Sequence, residues 1–218
     1  EYSENSPYTI VYGAPNNFLK QNLEGGVLLE DTYQYSAFYG LHGDVNLSGT
    51  MLVEYSAGTT ANTTLEGNLS GSGALTVKAG TTGGTLTLAG DNSELRGVRE
   101  IVSGGVIATT LKGLGNVSKS RWLIGRQGWL ASHEFTGSTD ILSYIDTAST
   151  GTLALSNNLT TELNLSNHRG LFIGAESGKQ VEYGTTNQTL TAINGAYKLG
   201  GGGGELIVNF KLTGESTN

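Results

Sequence analysis

The residues whose types could do chemistry are Asp146 and Thr147, which open the segment Asp-Thr-Ala-Ser-Thr. They follow a short apolar run, residues 141–145, whose pattern predicts a β-strand. A carboxylate held at the end of a strand can act as a general acid or base. The same residues also fit an ordinary turn, because Asp and Thr close turns with their own side chains. The sequence therefore leaves two interpretations, a catalytic carboxylate and a plain turn.

Residues 143–150 resemble the apolar-apolar-Asp-Thr-Gly/Ala signature of aspartic peptidases. The resemblance implies that Asp146 is a catalytic carboxylate and that Thr147 braces its loop. In that family two carboxylates share one proton, so that one activates water while the other protonates the substrate carbonyl. The second carboxylate would be Asp31, in a weaker Asp-Thr pair, or Asp146 of a second chain. A monomer and a homodimer are both left open.

A second candidate site is the basic and aromatic segment at residues 116–135. It contains Trp122, Arg126 and Trp129, which we take as candidate substrate-binding residues. Aromatic rings offer an amphipathic surface and arginine pairs with acidic groups, so the segment fits an anionic glycan, sialylated or sulfated. The alternative is a core or edge strand whose arginines lay their stems over apolar surface.

Composition argues against several other kinds of site. The chain has no Cys, which rules out disulfides, thiolate nucleophiles and Cys-based metal sites. Its His residues, at 42, 133 and 168, lack ligand spacing, so we expect neither a metal nor a cofactor. A net charge of -7 argues against nucleic acid as a partner. No apolar run approaches the roughly 20 residues that span a bilayer, so we expect no transmembrane segment.

Short apolar runs alternate with Gly, Asn, Asp and Ser along most of the 218 residues. Alternation favours strands of a few residues, and the 34 glycines favour tight corners. Related units recur, for example at residues 45–49 and 65–71, and such units must stack on neighbours to bury their apolar side. We therefore predict an all-β fold, either a solenoid-like stack of short strands or two sandwich-like β-sheet subdomains.

The change in composition near Asn116 is the best candidate for an internal boundary. We predict an N-terminal β subdomain at residues 1–115, with a tyrosine-rich cap and repeat-like strands, and a C-terminal β subdomain at residues 116–218. One continuous domain is the alternative. Seven of the 10 tyrosines lie within residues 1–55. They fit a surface that stacks on sugars, or a cover over an exposed end of the sheet.

Residues 84–93, Gly-Thr-Leu-Thr-Leu-Ala-Gly-Asp-Asn-Ser, with Gly-Gly-Val-Ile at 104–107, resemble an autotransporter-associated β-strand repeat. Residues 197–208 are similar to a recurring tail in the same proteins, which are large exported bacterial surface proteins, notably verrucomicrobial ones. The resemblance implies export, a β-solenoid or related stack, and a secreted or cell-surface location. The sequence begins at Glu1 without a signal-peptide pattern, so we expect a mature chain from which a leader has been removed.

Two functions of different classes follow. The first is a secreted hydrolase, an aspartic-type peptidase that cleaves a host glycoprotein such as mucin. The second is a non-catalytic extracellular module that adheres to surfaces or binds glycans. The first predicts that Asp146 lies in a groove beside a second carboxylate, and the second predicts that it lies in an exposed turn. Host glycoprotein or its glycan is the expected partner in both.

Overall fold

The computed structural model describes the backbone of residues 8–11, 21–23 and 26–31, and both backbone and side chains of residues 43–55, 62–79, 83–137 and 140–213. Regular structure in these residues is nearly all β, with two short 3-10 helices at Leu111–Leu114 and Ile141–Tyr144. The strands are β1 (Tyr8–Val11), β2 (Gln21–Leu23), β3 (Gly26–Asp31), β4 (Val45–Leu47), β5 (Thr50–Tyr55), β6 (Asn62–Leu65), β7 (Leu69–Gly71), β8 (Ala74–Ala79), β9 (Thr85–Leu88), β10 (Arg99–Ala108), β11 (Trp122–Ser132), β12 (Thr152–Leu155), β13 (Phe172–Ala175), β14 (Gln180–Tyr183), β15 (Thr189–Leu190), β16 (Glu205–Val208) and β17 (Lys211–Leu212).

The strands stack in parallel, each on the strand one turn of the chain further on. The main sheet has the order β1-β3-β5-β8-β10-β11-β12-β13. In its regular part Met51 pairs with Leu75 and Leu75 with Arg99, and side chains bond across the same interval of 24 residues. One such interval is called a rung below. The chain is therefore a β-solenoid, which confirms the prediction of an all-β stack of short strands.

A regular rung has three sides. Strands β2, β4 and β7 form the first side, β3, β5 and β8 the second, and β6 and β9 the third. The long strand β10 covers two sides, because residues 99–101 pair with β8 and residues 105–108 pair with β9. The chain turns between them at Gly104, whose φ of 82° suits glycine.

Alternate side chains of each strand point into the solenoid and stack from rung to rung. In β5, buried Met51, Val53 and Tyr55 alternate with more exposed residues. One interior position is occupied on successive rungs by Met51, Leu75, Arg99, Trp122 and Ile145. Burial of each large apolar side chain contributes roughly 1.5–3 kcal/mol, so these interior stacks are the main favourable term in the fold.

Glycines close the corner between the first and second sides. A Cβ on Gly73 would lie 2.0 Å from the carbonyl oxygen of Gly49, and one on Gly97 would lie 1.8 Å from that of Gly73. Both distances are far inside van der Waals contact, so the rungs stack here only because these residues lack a side chain.

Asn and Asp side chains hold the corner between the third side of one rung and the first side of the next. Asn68 N–H donates to Asp44 Oδ1 at 2.9 Å, and Leu69 N–H donates to Asn92 Oδ1 at 2.7 Å. Asn92 is buried, and its Nδ2 donates to the Gly113 carbonyl oxygen at 2.8 Å. Backbone groups that leave the strand ladders are thereby satisfied by side chains, as buried polar groups require.

The predicted boundary between residues 115 and 116 falls between β10 and β11. These two strands pair from Arg99 with Trp122 to Ala108 with Ser132, with one irregularity between Ile101 and Ser103. The division into subdomains stays a prediction. Most of the tyrosine-rich segment lies outside the described residues, and Tyr55 within them is buried. In the part of the chain that the structure describes, no helix has the length and apolar character to cross a membrane.

Candidate functional site

Asp146 lies in a turn at a corner of the solenoid. The apolar run before it forms the 3-10 helix Ile141–Tyr144 rather than a strand, and Ile145 alone makes a β-bridge, to Trp122. Asp146 N–H donates to the Trp122 carbonyl oxygen at 2.8 Å. Asp146 Oδ1 in turn accepts from Ala148 N–H at 2.8 Å. This is an Asx turn, the geometry that the plain-turn interpretation predicts.

Asp31 ends β3 and is not brought near Asp146 within one chain. Its backbone pairs with Tyr55 on the next rung, while Asp146 follows Ile145, which stacks five rungs beyond β3. With strands about 4.8 Å apart, five rungs span roughly 24 Å. Two carboxylates that share a proton lie about 3 Å apart. A dyad within one chain would therefore need Asp146 to meet a carboxylate other than Asp31.

The three candidate substrate-binding residues on β11 do not form one surface. Trp122 is 0% exposed, and its Nε1 donates to the Leu114 carbonyl oxygen at 2.9 Å. A fully buried indole offers no face to a sugar, so Trp122 acts as a core residue. Trp129 is half-buried and lies against Gly105, where a Cβ would come within 2.1 Å of its ring. Arg126 is exposed.

A polar groove of about 530 Å³ lies beside the Asp146 turn and is called the first groove. Thr147 contributes to its wall, and the residues that define it chemically are Arg121, Asp140, Asn164, Asn167 and His168. They come from turns on successive rungs, so the groove exists only after the solenoid has formed.

Two charged groups in the first groove are available to a ligand. Arg121 is exposed, and its guanidinium makes no hydrogen bond or ion pair with the described residues. Asp140 precedes the 3-10 helix Ile141–Tyr144 without capping it through its side chain. Its backbone carbonyl oxygen instead accepts from Ser143 N–H at 3.2 Å and from Ser143 Oγ at 2.7 Å.

His168 lies in the wall of the first groove and is mostly buried. Its Nε2 is 3.0 Å from the Ile145 carbonyl oxygen. A carbonyl only accepts, so Nε2 carries a hydrogen and donates it to this oxygen. Nδ1 is buried and has no hydrogen-bond partner among the described residues. The imidazole therefore keeps one ring nitrogen without a hydrogen-bond partner in the groove wall.

A second groove of about 470 Å³ adjoins the first, and Asn164 and Ser166 line both. Its charged residues are Glu162 and Arg169. Glu162 is fixed by Thr191, whose N–H donates to Oε1 at 2.7 Å and whose Oγ1 donates to Oε2 at 3.2 Å. Arg169 Nε donates to the Ser166 carbonyl oxygen at 3.2 Å, which leaves the rest of the guanidinium free to bind.

The loop that carries Arg121 is anchored by a buried arginine. Arg99 takes an interior position, and its guanidinium donates to the carbonyl oxygens of Leu114, at 2.5 Å, of Asn116, at 3.1 Å, and of Ser120. Burial lowers the pKa of Arg99 to about 10, because desolvation disfavours its charged form. Three carbonyl oxygens compensate the buried cation and fix the loop that leads to the groove.

A buried carboxylate, Glu176, joins three rungs on the third side. Its Oε2 accepts from Ser156 Oγ at 2.5 Å and lies 3.4 Å from Lys179 Nζ, while its Oε1 lies 3.1 Å from His133 Nε2. A Ser-His-acid triad needs the imidazole between the serine and the carboxylate. Here the carboxylate lies between the other two, so the cluster is a paired buried charge with a structural role.

Sequence reasoning singled out Thr147, and its candidate segment at residues 116–135 includes Arg121, but it missed the rest of both grooves. Besides Arg121, their residues lie in the segments 140–147, 162–169 and 191–194. No motif joins these segments, and only the coiling of the chain brings them together. Among the described residues, no group of three or more His, Cys, Asp or Glu is arranged to hold a metal ion. No protein-family model, curated protein or solved structure matches the chain.

Proposed function

We propose that this protein is a non-catalytic extracellular module that binds glycans of host glycoproteins. The observation that carries the proposal is the pair of adjoining polar grooves. Their volumes, about 530 and 470 Å³, lie in the usual range of small-ligand sites. Arginine, carboxylate, amide and hydroxyl groups line them, and these are the donors and acceptors that sugar hydroxyls require.

The extracellular setting is supported by the sequence alone. Residues 84–93 and 104–107 resemble the repeats of exported bacterial surface proteins, and a solenoid is the fold that this resemblance implies. A rigid stack of rungs with grooves along one region suits a protein that presents a binding surface away from the cell.

Binding is favoured over cleavage by the position of Asp146. Its carboxylate already accepts a backbone hydrogen bond within its own turn, and Asp31 is several rungs away. The aspartic-peptidase hypothesis now depends on Asp146 meeting another carboxylate, for example in a homodimer.

Binding is tested with an immobilised mucin-type glycoprotein, native and chemically deglycosylated, by biolayer interferometry. We expect binding to the native form only. Asn167→Ala, in the first groove, should weaken binding several-fold, because it removes an amide that is free to meet a hydroxyl. Asn187→Ala is the matched control, since Asn187 is exposed and lines neither groove. Equal binding to both forms, or none to the native form, would overturn the proposal.

The same glycoprotein tests the alternative. Wild type and Asp146→Asn are incubated with it at about pH 4, where aspartic chemistry keeps one carboxylate protonated. We expect no cleavage by either protein. Cleavage by the wild type that disappears in the variant would replace the binding proposal with the peptidase.

A further inference from the structure

The two grooves carry the same set of charged groups. The first has one cation, Arg121, and one carboxylate, Asp140. The second has Arg169 and Glu162. In each groove the single arginine is therefore matched by a single carboxylate. Asp146, next to the groove residue Thr147, adds a negative charge beside the first groove.

We propose, on the basis of the proposed function, that the two grooves are consecutive subsites for one neutral oligosaccharide. A charged group in either groove is attracted by the arginine and repelled by the carboxylate. An acidic sugar would therefore lose against the carboxylate much of what it gains from the arginine. A neutral sugar uses both groups, because its hydroxyls donate to the carboxylate and its oxygens accept from the guanidinium.

The junction between the grooves indicates one continuous ligand. Asn164 and Ser166 line both, so the two grooves are neighbours with this loop as their common border. Asn164 Oδ1 accepts from Ser166 N–H at 3.0 Å, and this bond fixes the loop. The two hydrogens of Asn164 Nδ2 take no part in that bond. A monosaccharide can occupy one subsite, whereas a short chain occupies both and gains the contacts of each.

Apolar side chains supply the remaining contacts. Leu142 lines the first groove, and Leu163 and Ile193 line the second. Neither groove has a Phe, Tyr or Trp side chain among the described residues that line it. Each subsite therefore lacks the large stacking contribution that aromatic side chains provide, and affinity must come from chain length.

The experiment measures calorimetric binding of N-acetylchitooligosaccharides from the monosaccharide to the tetrasaccharide. These probes are neutral, and hyaluronan tetrasaccharide is the acidic counterpart. We expect affinity to rise at least about tenfold from monosaccharide to tetrasaccharide. We expect it to change by less than about twofold between low and high salt, because a neutral ligand is not screened. Hyaluronan should bind more weakly. A flat length series, or tighter and salt-sensitive binding of hyaluronan, overturns the inference.

Three arginine variants locate the ligand. Arg121→Ala and Arg169→Ala should each weaken tetrasaccharide binding by about tenfold, since each removes charge-assisted hydrogen bonds in one subsite. Arg96→Ala is the control, because Arg96 is exposed and lines neither groove. If the glycoprotein binds but the length series is flat and the variants are silent, this inference fails and the proposed function stands. If neither glycoprotein nor oligosaccharide binds, both fail.

Discussion

Asp146 stabilises its turn through one side-chain hydrogen bond, from Ala148 N–H to Oδ1. Asp146→Ala should lower the free energy of unfolding by about 1 kcal/mol, the usual contribution of such a bond. Asp146→Asn should lower it by clearly less, because the amide oxygen can still accept. Urea denaturation of the three proteins measures the difference. An equal loss in both variants would mean that the carboxylate charge, and not the turn, is what matters at this position.

Tyr183 gives the fold a pH dependence on the alkaline side. It is buried, and its hydroxyl oxygen accepts from Leu163 N–H at 3.0 Å, next to the second groove. Burial raises the pKa of Tyr183 above its ordinary value of 10.0, because desolvation disfavours the phenolate. The folded state thus holds the phenol proton more tightly than the unfolded state. Its contribution to stability is complete below about pH 10 and is lost as pH rises through the higher folded pKa.

Tyr183→Phe removes this titration. The difference in unfolding free energy between wild type and Tyr183→Phe should be constant up to about pH 10 and then shrink as pH rises. Urea denaturation between about pH 8 and pH 11 measures this difference in unfolding free energy. The other tyrosines are the same in both proteins, so their contributions cancel in the difference. A difference that stays constant across this range would contradict the assigned role of burial.

The corner between the first and second sides of the solenoid requires residues without a side chain. At the corner between the first and second sides, Gly73→Ala puts a Cβ 2.0 Å from the Gly49 carbonyl oxygen and 2.8 Å from Leu47 Cβ. We expect a loss of roughly 3 kcal/mol or more, because backbone must move on two rungs.

Gly178→Ala is the matched control for this corner. Gly178 has a φ of 77°, and a Cβ at this position would have no atom within 4 Å, so the substitution costs only the left-handed backbone, about 1–2 kcal/mol. Thermal unfolding compares the two variants. If Gly73→Ala is no worse than Gly178→Ala, close stacking of the glycine corner is not a requirement of the fold.

The local sequence pattern predicts the strands, but it does not predict all of the segments between them. The alternation in β5 and β8 is visible in the sequence, because side chains on a strand change face at each residue. The run at residues 141–145 misled the strand prediction. Ile141 and Ile145 are both buried four positions apart, and Ser143 bonds back onto Asp140 to close a 3-10 turn between them. Local hydrogen bonds there outweigh the strand preference of the apolar residues.

The grooves belong to the whole molecule. Arg121, Asp140 and Asn164 lie about one rung apart in sequence, and no short motif contains two of them. The rung length itself is visible in the sequence at spaced glycines such as Gly49, Gly73 and Gly97, which lie 24 residues apart, whereas the interval is shorter on later rungs, where Thr152 pairs with Phe172. A solenoid could therefore be predicted from strand pattern, whereas the site requires the register that stacks one turn on the next.

The decisive measurement is a titration of isotope-labelled protein with N-acetylchitotetraose, followed by backbone amide chemical shifts. If the protein is a binding module of the proposed kind, the chemical shifts should change until they saturate. The changes should cluster at residues 121, 147, 164–169 and 191–194, which line the two grooves. Amides of β10, which line neither groove, should not move. An absence of saturable shifts, or shifts centred away from these turns, would contradict the account.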